Sequence, residues 1–108
     1  MEKTKRLNPL SGKQKKFLRS IGHHLTQSVI VGREGISENL IQSCNEGLDA
    51  HELIKVKLGQ NCPTDKKDAA LELAARTGSH LVQLIGKTIL LYRQNHELPG
   101  DQAIHLPR

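Results

Sequence analysis

The hydrophobic positions along this chain change period several times, and each change marks an element. Leu10, Phe17, Leu18, Ile21 and Leu25 fall on one side of a helix that Ser11 can cap and that runs to about His24, with Lys13, Lys15, Lys16, Arg19 and His23 on the other side. Ser28-Val29-Ile30-Val31 is a β-rich run stopped by Gly32, which predicts a short buried strand. Ser37 offers a second helix cap, Glu38 suits the dipole of the first turn, and Leu40, Ile41, Cys44 and Leu48 form the apolar stripe of that helix. Residues 51–58 alternate, with Ile54, Val56 and Leu58 on one face and Leu53, Lys55 and Lys57 on the other, so a half-buried strand with outward cations is predicted. After a loop over residues 59–63, a third helix opens at Thr64 or Asp65, carries Ala69, Ala70, Leu73, Ala74 and Thr77, and stops at Gly78. Residues 80–85 and 88–92 read as two strands joined by a tight turn at Gly86-Lys87. The order α-β-α-β-α-β-β predicts a compact α/β single domain whose crossovers bury helices against one sheet. Residues 1–9, basic and closing on Asn8-Pro9, are expected to be a flexible leader, and residues 94–108, with two prolines and no apolar period, a flexible tail.

Charge changes this picture from a fold to a candidate partner. The 108 residues suffice for one domain without disulfide or metal, and their formal net charge is +5. That charge is unevenly spread: residues 1–33 hold eight basic side chains against one acid, and residues 34–108 hold eight against ten. A cationic end of this density points to a polyanion, either nucleic acid or an anionic membrane surface. Phe17 and Tyr92 are the only aromatic rings besides histidine. Readers that stack several bases on aromatic side chains need more, so an RNA-recognition motif or a single-strand-binding OB fold is disfavoured, and both rings are expected in the core. Cys44 and Cys62 stand apart with no metal-type spacing, which fits a reduced setting. No charged-then-apolar leader and no apolar run near the about 18 residues of a membrane span are present. The expectation is therefore a cytoplasmic chain with no membrane partner.

Between the first strand and the second helix stands Gly32-Arg33-Glu34-Gly35. Glycines at both ends allow positive φ and close backbone approach. The amides of such a turn, with the positive end of the following helix, can seat a phosphate, as the GxxG loop of KH domains does for RNA. Glu34 opposes this unless its carboxylate points away or pairs with Arg33. Lys13, Lys15, Lys16 and Arg19 form a helix face without a balancing acid, which favours polyanion contact over a merely solvated face. Lys55, Lys57, Lys87 and Arg93 extend that surface or belong to solvated edges, with equal claim. None of the six histidines stands in a zinc spacing, and no hydrolase elbow, Walker loop or dinucleotide fingerprint appears. No cofactor, metal, catalytic residue or small-molecule substrate is expected. A thiol enzyme built on Cys62 lacks a basic partner at a defined spacing.

Four segments in register closely resemble the YhbY family of bacterial RNA-binding proteins, whose unit recurs as the CRM domain of plant group II intron splicing factors. They are Leu10-Ser11-Gly12-Lys13-Gln14-Lys15, Val31-Gly32-Arg33-Glu34-Gly35-Ile36-Ser37, His51-Glu52-Leu53-Ile54-Lys55-Val56-Lys57, and Thr77-Gly78 with residues 82–93. The resemblance spans about residues 10–93, and the terminal Leu106-Pro107-Arg108 looks like the end of some bacterial members. It implies a four-stranded mixed sheet similar to the C-terminal domain of translation initiation factor three, a GxxG loop used for RNA, and association with precursors of the large ribosomal subunit. The family's loop usually carries basic or small polar residues between its glycines, and Glu34 departs from that. The reading is a monomeric RNA-binding protein that contacts ribosomal RNA through Gly32, Arg33, Glu34, Gly35, Lys13, Lys15, Lys16, Arg19, Lys55, Lys57, Lys87 and Arg93. The alternative is an interaction module that docks an acidic ribosomal or assembly protein.

Overall fold

A computed structural model describes residues 9–26 and 28–108. The leader expected over residues 1–9 lies outside the described residues except for Pro9. The elements run α1 (Gly12–Gly22), β1 (Val29–Val31), α2 (Glu38–His51), β2 (Leu53–Leu58), α3 (Lys66–Thr77), β3 (His80–Ile85) and β4 (Thr88–Tyr92). The sheet order is β1-β2-β4-β3, with β1 parallel to β2 and β4 antiparallel to both of its neighbours. The element order predicts an α/β domain with helices against one sheet, and the family resemblance implies that the sheet is four-stranded and mixed; the structure has both.

Local chemistry sets the ends of the elements. Ser11 accepts from the Gln14 amide while the Gln14 side chain accepts from the Ser11 amide, a reciprocal box that starts α1. Ser37 and Asp65 cap α2 and α3 with a single bond each, their side chains accepting the Leu40 and Lys67 amides. Gly78 ends α3 at φ +64, and Gly86 turns the β3–β4 hairpin at φ +56. Where the alternation predicts a strand from residue 51, the helix instead continues through His51. Glu52 then breaks it at φ +66, the only positive φ of a non-glycine residue among the described residues.

The sheet has a core on each face. On one face Val31, Ile54, Val56, Leu58, Ile89 and Leu91 meet Ile41, Cys44 and Leu48 of α2 and Ala69, Ala70 and Leu73 of α3. Burial pushes the Cys44 thiol up to about 11, so it is an inert core group. On the other face Leu18 of α1 meets Leu53, Val82, Leu90 and Tyr92, flanked by Ile21, Leu25, Ile104 and Leu106. Tyr92 lies in this core as expected; its hydroxyl is pushed up to about 12, first by burial and then by the Glu52 carboxylate. Phe17 differs from expectation: it is half-buried at the rim, because Leu18 and Gly22 are the α1 positions turned squarely onto the sheet.

Residues 94–108 also differ from the flexible tail expected. Their apolar residues, although without a period, fold back onto the α1 side of the sheet, where Ile104 and Leu106 pack. The Asn95 and Ile104 amides donate to the Glu52 carboxylate at 2.6 Å each, and Gln14 Nε2 donates to the Pro107 carbonyl at 3.1 Å.

Candidate nucleic-acid interface

The turn after β1 is built by two backbone bonds and a packing constraint. The Gly35 amide donates to the Gly32 carbonyl at 3.0 Å, and the Ser37 amide to the Gly35 carbonyl at 3.1 Å. Gly35 has φ +70, and a Cβ there would stand 3.3 Å from Pro63 Cγ, so the loop after β2 packs beneath the turn. Gly32 has neither a positive φ nor a neighbour within 4 Å of a built Cβ. Only the second glycine is therefore required by the conformation, a correction to the expectation for both. Gly32, Arg33 and Glu34 are exposed, and among the described residues the Arg33 and Glu34 amides have no backbone acceptor. Arg33 and Glu34 form no ion pair with each other, so the carboxylate is not neutralised from within the turn. Arg76 of α3 steadies the turn's far side: it donates to the Ile36 carbonyl and pairs with Glu38 in the first turn of α2.

The other predicted residues divide into four groups. Lys13, Lys16 and Arg19 project outward from α1, and Lys15 is half-buried. Burial and then the Lys15 ammonium hold the His80 imidazole of β3 below its ordinary value. Lys57 and Lys87 are exposed near the end of the sheet that carries the glycine turn. Leu58 donates to the Lys87 carbonyl and Gly59 to the Val31 carbonyl, so the end of β1, the loop after β2 and the β3–β4 hairpin lie together. Lys55 is half-buried, and its ammonium donates to the Leu25 carbonyl at 3.0 Å, tying the chain after α1 to β2.

Arg93 departs from the expected surface. It lies across the sheet from α1, where it donates to the Thr77 carbonyl at 2.5 Å, to Asn45 Oδ1 at 2.8 Å and to Asp49 Oδ1 at 2.7 Å. These bonds join the ends of α2, α3 and β4, with the side chain 23% exposed. Arg93→Ala should cost about 1.5–3 kcal/mol of stability, the range for hydrogen bonds to a charged group, in urea unfolding. A loss of polyanion affinity at unchanged stability would instead assign this side chain to the binding surface.

Sequence reasoning missed a row across the sheet. Register aligns Ile30 with Lys57, Lys57 with Thr88, and Thr88 with Ile85, all on the α1 face. The helix does not reach this row, and Ile30 and Ile85 are 58% and 62% exposed. Ile30 belongs to a run that reads as a buried strand, and Ile85 ends another strand; how far α1 covers the sheet has no local signal. The arrangement is a cationic helix, an open stretch of sheet and an exposed glycine turn whose Arg33 and Glu34 amides have no backbone acceptor among the described residues, a combination suited to holding a phosphate chain. Among the described residues no group of three His, Cys, Asp or Glu side chains could hold a metal ion, and no helix is long and apolar enough to cross a membrane.

Known proteins are similar to this chain over most of its length. The probable RNA-binding protein YqeI of Bacillus subtilis is 49% identical over 98 residues, covering 91% of this chain and 99% of that protein. The probable RNA-binding protein PA4753 of Pseudomonas aeruginosa is 44% identical over 86 residues, covering 80% and 83%. The solution structure of SAV1595 from Staphylococcus aureus superposes with a TM-score of 0.73 at 42% identity, covering 92% of this chain and all of that one. Residues 10–93 match the CRS1 / YhbY (CRM) domain from end to end of the α/β unit described above, and the chain belongs to that family.

Proposed function

We propose that this protein binds RNA, and that its target is structured ribosomal RNA of the precursor large ribosomal subunit, whose maturation it assists as a cytoplasmic monomer. The observation that carries the RNA reading is the acid-free outer face of α1 with Lys13, Lys16 and Arg19 exposed, on the same molecule as an exposed turn that offers Arg33 and two amides without a backbone acceptor among the described residues. Relatives named as probable RNA-binding proteins support it, and the ribosomal target follows from the family resemblance. In this reading Arg33 meets a phosphate, Gly32 leaves room for the backbone to approach, and the α1 cations supply the sequence-independent affinity.

Filter binding of ribosomal RNA fragments across a salt series tests the proposal. Affinity should fall with a log-log slope of about 0.7 to 0.9 for each phosphate neutralised, and a flat response would refute it. Arg33→Glu, with the fold checked by circular dichroism, should weaken binding and make the slope shallower; unchanged affinity would remove the turn from the interface. Cosedimentation with large-subunit precursors should be lost after ribonuclease treatment. Persistence would favour docking on an acidic protein instead.

A further inference from the structure

The open half of the α1 face has a shape that phosphate contact leaves unexplained. Where α1 ends, Gly22 packs so closely on β4 that an added Cβ would stand 2.8 Å from Leu90 Cδ2. That close approach leaves a groove of about 190 Å³ beside it, lined by Gly22, His23, Lys55, Gln83, Ile85, Thr88 and Leu90. Pockets for drug-sized ligands start at roughly 300 Å³, so this groove fits a fragment about the size of one heterocyclic base. Its floor and wall, Leu90 and Ile85, are apolar. Its edge carries the Gln83 amide and Thr88 hydroxyl, which donate and accept as the edge of a base requires.

The groove opens onto the exposed row Ile30–Lys57–Thr88–Ile85, which runs from the edge strand that leads into the glycine turn. Four strands at about 4.8 Å spacing make the row about 14 Å long. It is one residue deep, far from the roughly 800 Å² a side that a stable protein interface buries. The charge pattern selects the occupant. Strands β1 to β4 contain no Asp or Glu, and Lys55 and Lys57 stand on this face. A narrow aliphatic strip with cations along it and polar groups at one end suits a nucleotide chain, with bases on the isoleucines and phosphates toward the lysines.

We propose that this groove seats one unpaired base of the bound RNA, so that the protein selects a single-stranded nucleotide beside the phosphates held by the turn and α1. The inference rests on the RNA reading above. It is tested with the full chain and two fluorescent RNA hairpins that are identical except that the unpaired bases of one internal loop are replaced by abasic nucleotides. The wild-type protein should bind the base-bearing hairpin about tenfold more tightly, about 1.4 kcal/mol. Gln83→Ala and Ile85→Ala, both neutral and checked by circular dichroism, should each remove most of that difference. They should leave the abasic hairpin and the salt slope unchanged, since no phosphate contact is lost. Equal binding of the two hairpins by the wild type, or equal losses on both from the variants, overturns the base groove while RNA binding stands. Failure of the wild type to bind either hairpin overturns the RNA reading itself.

Discussion

Replacing Glu52 by alanine should lower the unfolding free energy by about 3–5 kcal/mol and release the C-terminal segment. The side chain is 1% exposed. Its two oxygens accept the Asn95 and Ile104 amides at 2.6 Å each, and its carbonyl accepts the Arg93 amide at 2.8 Å. Hydrogen bonds to a charged group contribute about 1.5–3 kcal/mol each, and truncation also leaves two amides without their acceptor. Glu52→Gln keeps one acceptor oxygen and should lose about half as much. Glu52→Gly should fall between the wild type and alanine, because glycine relieves the left-handed backbone at φ +66. Urea unfolding gives the stabilities, and hydrogen exchange at Asn95 and Ile104 reports the clamp. Protection of those amides unchanged in Glu52→Ala would show that the carboxylate does not hold the segment.

The second large effect concerns binding. Changing Lys13, Lys16 and Arg19 together to glutamine should reduce RNA affinity on the order of 50-fold near physiological salt, from about 0.8 kcal/mol of counterion release per phosphate contact, and should make the salt slope shallower by about 2 to 3. All three side chains are exposed and none makes an ion pair among the described residues, so stability should hold. Lys67 supplies the control. It is an exposed cation on α3, across the sheet from α1, and its neutralisation should leave affinity within about twofold. An equal loss per charge removed from Lys67 and from the α1 set would mean that overall charge, not a defined helix face, governs binding.

What the sequence made legible is what neighbouring residues decide. The Ser11 and Ser37 caps, the stop at Gly78, the hairpin at Gly86-Lys87 and the glycine turn all depend on a few consecutive residues, and they stand where their chemistry predicts them. What stayed hidden depends on residues far apart in the chain. Arg93 looks like any exposed cation until Asn45, Asp49 and Thr77 close around it. The tail seems unstructured because its anchor, Glu52, belongs to another element that first has to turn left-handed. Ile30 stands in a run whose signal promises burial, whereas α1 leaves both it and Ile85 uncovered. Phe17 and Leu18 are adjacent apolar residues on one wheel, and only docking decides which of them faces the sheet.

The position of β4 sets a timetable for synthesis. It is the last strand made, yet it lies between β2 and β3 and is the only link from β3 to the rest of the sheet. Until residue 92 has left the ribosome, β2 has one neighbour, β3 has none, and Leu18 lacks Leu90 and Tyr92 to pack on. Both faces of the sheet are therefore completed in one late step. The open row and its groove, which need Thr88 and Leu90, come into being only after β4 has emerged, so a growing copy carries the cationic helix before it carries the surface proposed to choose among RNAs.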